Sequence, residues 1–205
     1  MHAVFALSGA AAGRLEARPE VILEGGSIYR GQWIDGQRHG QGLLIRPGGQ
    51  RYEGGFVRDQ AHGYGVFSSP QGNIYEGEWE SDRAHGFGKY THTDGSSYEG
   101  EWRSDEKCGH GVENWADGAR FCGRFVQGRK HGPGLYTSGA GVVYDGQFRE
   151  DKMDGEGCYK FGDGRMYTGQ WQGGHMQGHG KMEWLNGAKY EGSYERDVKH
   201  GEGTY

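Results

Sequence analysis

The chain has 205 residues, of which 43 are glycine and only 33% are apolar, and its formal net charge is −5. So little apolar material argues against an ordinary two-layer domain, and the negative balance gives no overall pull toward nucleic acid or anionic membranes. No apolar run approaches the roughly 18 residues of a membrane span, while three cysteines without a CxxC pair (Cys108, Cys122, Cys158) fit a reducing compartment; a cytoplasmic protein is expected.

Residues 1–20 show no convincing pattern. The alanine-rich stretch Met1–Ala17, with Arg14 ahead of its first acidic residue, faintly resembles a transit peptide; Gly9 and Gly13 suggest instead an eroded repeat acting as a cap. From Val21 a phase emerges, and 21–28 reads as a partial unit whose Val21 and Leu23 form a strand. Then Tyr29, Tyr52, Tyr75, Tyr98, Phe121, Tyr144, Tyr167 and Tyr190 recur every 23 residues without insertion or deletion. Seven full units (29–189) and a shortened eighth (190–205) follow, so 21–205 is expected to be one repeat array.

Within a unit the first aromatic is followed two residues on by glycine, and four on by a second large ring: Trp33, Phe56, Trp79, Trp102, Phe125, Phe148, Trp171 or Tyr194. This period of two predicts a strand with one buried face. Seven residues after the first ring stands Gly36, Asp59, Asp82, Asp105, Gly128, Asp151, Gly174 or Asp197, types that tolerate the left-handed backbone of a tight turn. A Gly-x-Gly strand comes next, and Asp94-Gly95, Asp117-Gly118, Asp163-Gly164 and Asn186-Gly187 mark its exit as strong hairpin signals. Two turns per unit leave no room for a crossover, so an antiparallel meander is predicted. Because 32 of the 43 glycines fall at four phases of the repeat, they are expected to leave slots for the rings of adjacent strands. Sixteen strands about 4.8 Å apart would make a ribbon on the order of 75 Å long.

The pattern Tyr-x-Gly-x-Trp-x-x-(Gly/Asp)-x-x-His-Gly-x-Gly, with Asp-Gly before the next unit, resembles the MORN (membrane occupation and recognition nexus) repeat from Tyr29 to Tyr205. The resemblance implies an all-β fold: an elongated, single-layer antiparallel β-meander of 23-residue hairpins in a twisted, open-ended ribbon. It implies docking or assembly, with no one activity attached. The chain departs from the pattern at Cys108, Asp154 and Gln177, which replace the histidine, at Glu113, which replaces an apolar residue, and at Pro133. Units four to seven are therefore expected to be less regular, with pairing weakened at Pro133.

Chemistry-bearing motifs are few. His39, His62, His85, His131 and His200 would lie about 10 Å apart on neighbouring hairpins, too far to share a metal that ligands approach within about 2.1 Å. Cys108 and His110 lack a partner pair, so no metal and no cofactor are expected. No nucleophile elbow, Walker loop or His-Glu-x-x-His occurs, so no catalytic residue is assigned. Glu53, Glu76, Glu78, Glu99, Glu101, Asp145 and Glu191 form an acidic outward face that would repel anionic headgroups. Arg38, Arg83, Lys107, Arg129, Lys130, Lys152 and Lys199 form a basic edge along the turns, open to phosphoinositides or an acidic protein. A single-layer sheet leaves its rings partly uncovered, and an exposed apolar groove marks a contact; Tyr75, Trp79, Tyr98, Trp102, Tyr144, Phe148, Tyr167 and Trp171 are the residues expected to bind protein there. Nucleic acid is disfavoured by the acidic balance.

The expected function is thus a non-enzymatic scaffold or adaptor that binds partner proteins through an aromatic groove and turn edges. The resemblance places such a protein in a cytoskeletal, ciliary or membrane-associated assembly. Two further readings stand beside it: a targeting or regulatory module of a longer enzyme, such as a phosphatidylinositol phosphate kinase or SET-domain methyltransferase, and self-association as a homodimer or end to end.

Overall fold

A computed structural model describes residues 13–205. Most of the segment expected as a cap or transit peptide, Gly9 included, lies outside the described residues. The rest forms β1 (Glu16–Ile22), β2 (Ile28–Ile34), β3 (Gln37–Ile45), β4 (Arg51–Val57), β5 (Gln60–Ser68), β6 (Ile74–Glu80), β7 (Arg83–Thr91), β8 (Ser97–Arg103) and β9 (Glu106–Asn114). It continues with β10 (Arg120–Val126), β11 (Arg129–Thr137), β12 (Val143–Arg149), β13 (Lys152–Lys160), β14 (Met166–Gln172), β15 (His175–Glu183), β16 (Lys189–Glu195) and β17 (Val198–Thr204). Every strand pairs antiparallel with its successor, giving one open sheet, a single-layer meander. β1 begins upstream of Val21 and pairs with β2 through Glu16↔Trp33 to Ile22↔Ile28. No helix long and apolar enough to cross a membrane occurs among the described residues.

Both expected turns of the unit are present, the first with the left-handed backbone expected of it and the second longer than a two-residue loop. The two-residue turn inside a hairpin is Ser81-Asp82 in the third unit, at φ 50° and 66°, and Arg58-Asp59 in the second, at φ 48° and 70°. These mirror-image turns match the twist of the strands, here without glycine. The Asp-Gly pair sits in a longer connection: Gly95 N–H donates to His92 O at 3.1 Å and His92 N–H to Ser96 O at 2.8 Å. Only the glycine there is left-handed, and Asp94 accepts the Ser96 N–H at 2.8 Å.

Each hairpin carries a bulge with its extra residues on the second strand: between Gly77↔Gly88 and Trp79↔Ala84, Glu78 alone faces His85, Gly86 and Phe87. The bulge takes one N–H of the second strand, Phe87 in the third unit, out of the ladder, and in four units the side chain facing it at the bulge satisfies it. Glu78 accepts from Phe87 N–H at 3.0 Å, Gln32 from Gln41, Glu101 from His110 and Gln170 from His179. Pro133 occupies the equivalent position of the fifth unit, where Arg124 offers no acceptor and proline needs none. The expected weakening at Pro133 is therefore corrected: β11 stays paired on both sides.

The irregularity expected of units four to seven is confined to the fourth, since the strands of all four keep the same lengths. Asp154 accepts the Gly173 N–H at 3.0 Å and Gln177 the Arg196 N–H at 3.2 Å, so two of the residues replacing histidine tie one hairpin to the next. Only the bulge of the fourth unit is displaced, between Gly100 and Glu101, which pairs Glu101 with Cys108.

Candidate functional site

The first ring of each unit lies over the glycine pair of its own hairpin. Tyr75 covers Gly77 and Gly88, and a methyl group on Gly88 would stand 2.3 Å from the Tyr75 hydroxyl oxygen. That hydroxyl donates to Glu78 O at 2.9 Å, and Tyr29, Tyr52, Tyr98, Tyr144 and Tyr167 make the same bond to their bulge carbonyls. The second ring stands on edge between two first rings. Trp79 meets Tyr75 at 5.0 Å and Tyr52 of the preceding hairpin at 5.1 Å, nearly perpendicular to both, and donates to Gly65 O at 3.1 Å.

Repetition turns these pairs into an unbroken zipper of perpendicular contacts from Trp33 to Tyr190, one link within and one between successive hairpins. Such pairs contribute about 0.5–1.5 kcal/mol each beyond burial. Burial pushes the hydroxyls of Tyr52, Tyr75, Tyr98, Tyr144 and Tyr167 well above the usual phenol range. Tyr194 is pushed up to about 12, again chiefly by burial.

Of the eight rings expected to line a groove, Trp79 is half-buried while Tyr75, Tyr98, Trp102, Tyr144, Phe148, Tyr167 and Trp171 are buried in the zipper. What shows above them is a line of clefts. One of about 210 Å³ lies among Leu44, Tyr52, Phe56, Phe67 and Trp79; another of about 390 Å³ among Phe67, Tyr75, Trp79, Tyr90, His92 and Trp102. A third, about 460 Å³, lies among Trp115, Lys130, Tyr136, Phe148 and Met153. The walls are second-strand rings, Phe67, Tyr90 and Tyr136, which pack half-buried against the zipper. Sequence reasoning passed over them, although they share one phase of the repeat with Leu44, Tyr159, Met182 and Tyr205.

The seven basic residues fall into two groups. Arg83, Arg129 and Lys152 begin their second strands and are exposed at the turn edge. Arg38, Lys107, Lys130 and Lys199 stand one residue later, opposite the second rings, and fold over the aromatic face. Arg38 lies 5.4 Å from the Phe56 centroid and 3.1 Å from Asp59; Lys107 lies 4.9 Å from Tyr98, Lys130 4.8 Å from Trp115 and Lys199 4.3 Å from Tyr190. Glu113 is explained by the same set, because Lys107 approaches it to 2.5 Å and Lys130 to 3.4 Å. A carboxylate replaces a ring there because two lysines flank it.

The turn aspartates have a second role. Asp82 accepts the Ala61 N–H of the preceding hairpin at 2.8 Å; Asp59, Asp105, Asp151 and Asp197 do the same for Arg38, Ala84, Lys130 and Met176. Gly128 and Gly174 lack this clamp. No group of three or more His, Cys, Asp and Glu could hold a metal among the described residues.

The MORN repeat model matches residues 29–51, 52–74, 75–97, 98–120, 121–143, 144–164, 167–189 and 190–205. Among curated proteins, none matches the chain. Among solved structures, the chain is similar to the SAS-4 (dCPAP) TCP domain of Drosophila melanogaster in complex with a proline-rich motif of Ana2 (dSTIL). That likeness has 13% identity and a TM-score of 0.46, over 95% of this chain and 98% of that one. The TCP10 domain of Danio rerio CPAP with a STIL peptide is similar at 15% identity and a TM-score of 0.32, over 85% and 82%. With the unit matched eight times between residues 29 and 205, the chain belongs to the MORN repeat family.

Proposed function

We propose that the chain is a non-enzymatic scaffold whose repeat array, residues 21–205, holds partner proteins in the groove of the aromatic face. The observation that carries this reading is the line of clefts above the zipper, walled by half-buried Phe67, Tyr90 and Tyr136. The zipper fixes the spacing of the hairpins, so the groove is rigid before a partner arrives and little ordering cost falls on this side of the interface. Tyr75, Trp79, Trp102 and Phe148 present edges to the clefts; Tyr98, Tyr144, Tyr167 and Trp171 support them from within the zipper. Arg83, Arg129 and Lys152 add contacts for an acidic partner at the turn edge. We infer a cytoplasmic assembly associated with cytoskeleton or cilium, a reading supported by the MORN repeats.

The test is affinity purification from the native cell with the wild-type chain and with Tyr90→Ala/Tyr136→Ala, whose folding is checked by circular dichroism. Loss of the co-purifying proteins from a folded variant is expected. Retention of every one of them would remove the groove as the interface.

A further inference from the structure

The face opposite the zipper carries the molecule's other exposed rings. Tyr64 and Phe87 are 59% and 55% exposed, large values for aromatic side chains within a sheet. Tyr64 on β5 is the cross-strand partner of Glu78 on β6, and Phe87 on β7 is the partner of Glu101 on β8. Glu78 also binds the Phe87 N–H and Glu101 the N–H of exposed His110 on β9. Tyr64, Glu78, Phe87, Glu101 and His110 therefore succeed one another across five adjacent strands, ring alternating with carboxylate. Beside Phe87 an open cleft of about 540 Å³ is lined by Glu99, His110, Val112 and Cys122.

Charge on this patch is unbalanced. Glu53 is paired with Arg51 at 2.6 Å and Glu99 with Lys89 at 3.9 Å. Glu76, Glu78 and Glu101 have no cationic side chain within salt-bridge distance among the described residues, Glu76 accepting instead from the Tyr64 hydroxyl at 2.7 Å, and no cation lies over Tyr64 or Phe87. The aromatic face shows the completed form of the same arrangement: the Arg38 guanidinium lies over Phe56 and against Asp59. On the opposite face the rings and carboxylates are in place, but the neighbouring cation, Lys89, reaches Glu99 at 3.9 Å and neither ring is covered.

The fold does not require these charges. The bulge side chain needs only an acceptor, and Gln32 and Gln170 serve as well as Glu78 and Glu101 do. The carboxylates stand in the two units next to the exposed rings, where an amide would have met the structural need.

We propose that the β5–β9 stretch of this face binds a protein segment carrying arginine or lysine, with its cations seated on Tyr64 and Phe87 between Glu76, Glu78 and Glu101. A guanidinium so placed combines a cation–π contact with a charge-assisted hydrogen bond. Anionic lipid is the wrong partner for this surface, and the surface is separate from the groove of the aromatic face.

The test is fluorescence anisotropy with a Gly/Ser nonapeptide bearing three arginines, compared with the same peptide bearing glutamines, at low and physiological salt. The arginine peptide is expected to bind and the glutamine peptide not, with affinity falling as salt rises. Phe87→Ala and the double variant Glu78→Gln/Glu101→Gln should each weaken binding about tenfold, while Tyr136→Ala on the other face leaves it unchanged. The proposal is overturned if the wild-type chain does not bind at low salt, or if the Phe87 and Glu78/Glu101 variants bind as tightly as the wild type. It is also overturned if light scattering shows a dimer that Phe87→Ala dissociates, since a second copy would then be the occupant. The glutamine variants keep the bulge acceptor, so loss of binding through unfolding is separable by their circular dichroism.

Discussion

The two faces of this sheet are made of the same residue types and put them to opposite ends. On the aromatic face, rings close over glycine pairs, bond to bulge carbonyls and receive the chain's own cations, as Tyr98 does from Gly100, Gly111, Glu101 and Lys107. On the other face Phe87 stands in solvent beside Glu101, with no such partners. Aromatic content alone therefore says little about binding. What distinguishes a core ring from an exposed ring here is whether the repeat supplies a glycine seat or a place between two seated rings.

That contrast can be broken from its structural side first. A Cβ at Gly100 would lie 2.5 Å from the Gly111 Cα and 2.6 Å from the His110 carbonyl, both backbone atoms that cannot swing aside. Gly100→Val is expected to abolish the fourth hairpin, seen as loss of amide-exchange protection across β8 and β9, an effect beyond ordinary point mutants.

Alkali should act on the whole zipper at once. The folded-state pKa values of Tyr52, Tyr75, Tyr98, Tyr144 and Tyr167 are raised, so the unfolded chain loses these protons first. Stability from them is complete below about pH 10 and falls above it, by about 1.4 kcal/mol per pH unit for each tyrosine. A thermal melt followed from pH 8 to 11.5 should hold and then drop steeply above pH 10; a flat profile would deny that these hydroxyls are buried.

Single truncations come next. Tyr98→Ala removes the ring joining Trp102 to Phe125 and should cost about 3–5 kcal/mol in chemical denaturation. Tyr98→Phe loses only the hydroxyl bonds and should cost about 1 kcal/mol, since Phe121 fills the same place without one. Asp82→Ala strips the clamp from the Ala61 N–H and should cost about 1–2 kcal/mol. Its converse, Gly128→Asp, has a suitable φ of 75° and open space, and should add up to about 1 kcal/mol by capturing the Lys107 N–H. Phe87→Ala, on the other face, should move stability by less than about 0.5 kcal/mol.

The meander and its unit were legible in the sequence because each rests on local chemistry repeated in phase. Glycine seats, left-handed turn residues and alternating rings declare themselves eight times, and noise does not. Burial of Tyr75, Tyr144 and Tyr167 was harder to read, because a single strand cannot reveal that its ring is sandwiched edge-on by the next hairpin. The same limit hid the aspartate clamps, which join residues 21 positions apart. It also hid the split of the basic residues, since Arg83 and Lys107 differ by one step of strand alternation and thereby face opposite ways. Pro133 and Glu113 looked like faults because their compensating partners, Arg124 for the first and Lys107 and Lys130 for the second, lie on other strands.

Rings left outside the zipper are proposed to be what holds proteins on the sheet. Photo-crosslinking in the native cell tests this proposal most directly, with benzoylphenylalanine placed at Tyr90 in the groove, at Phe87 on the opposite face, and at Gln71 in an exposed turn. Protein adducts at positions 90 and 87 and none at 71 are the expected result. No adduct at either ring, from a folded chain, would contradict it.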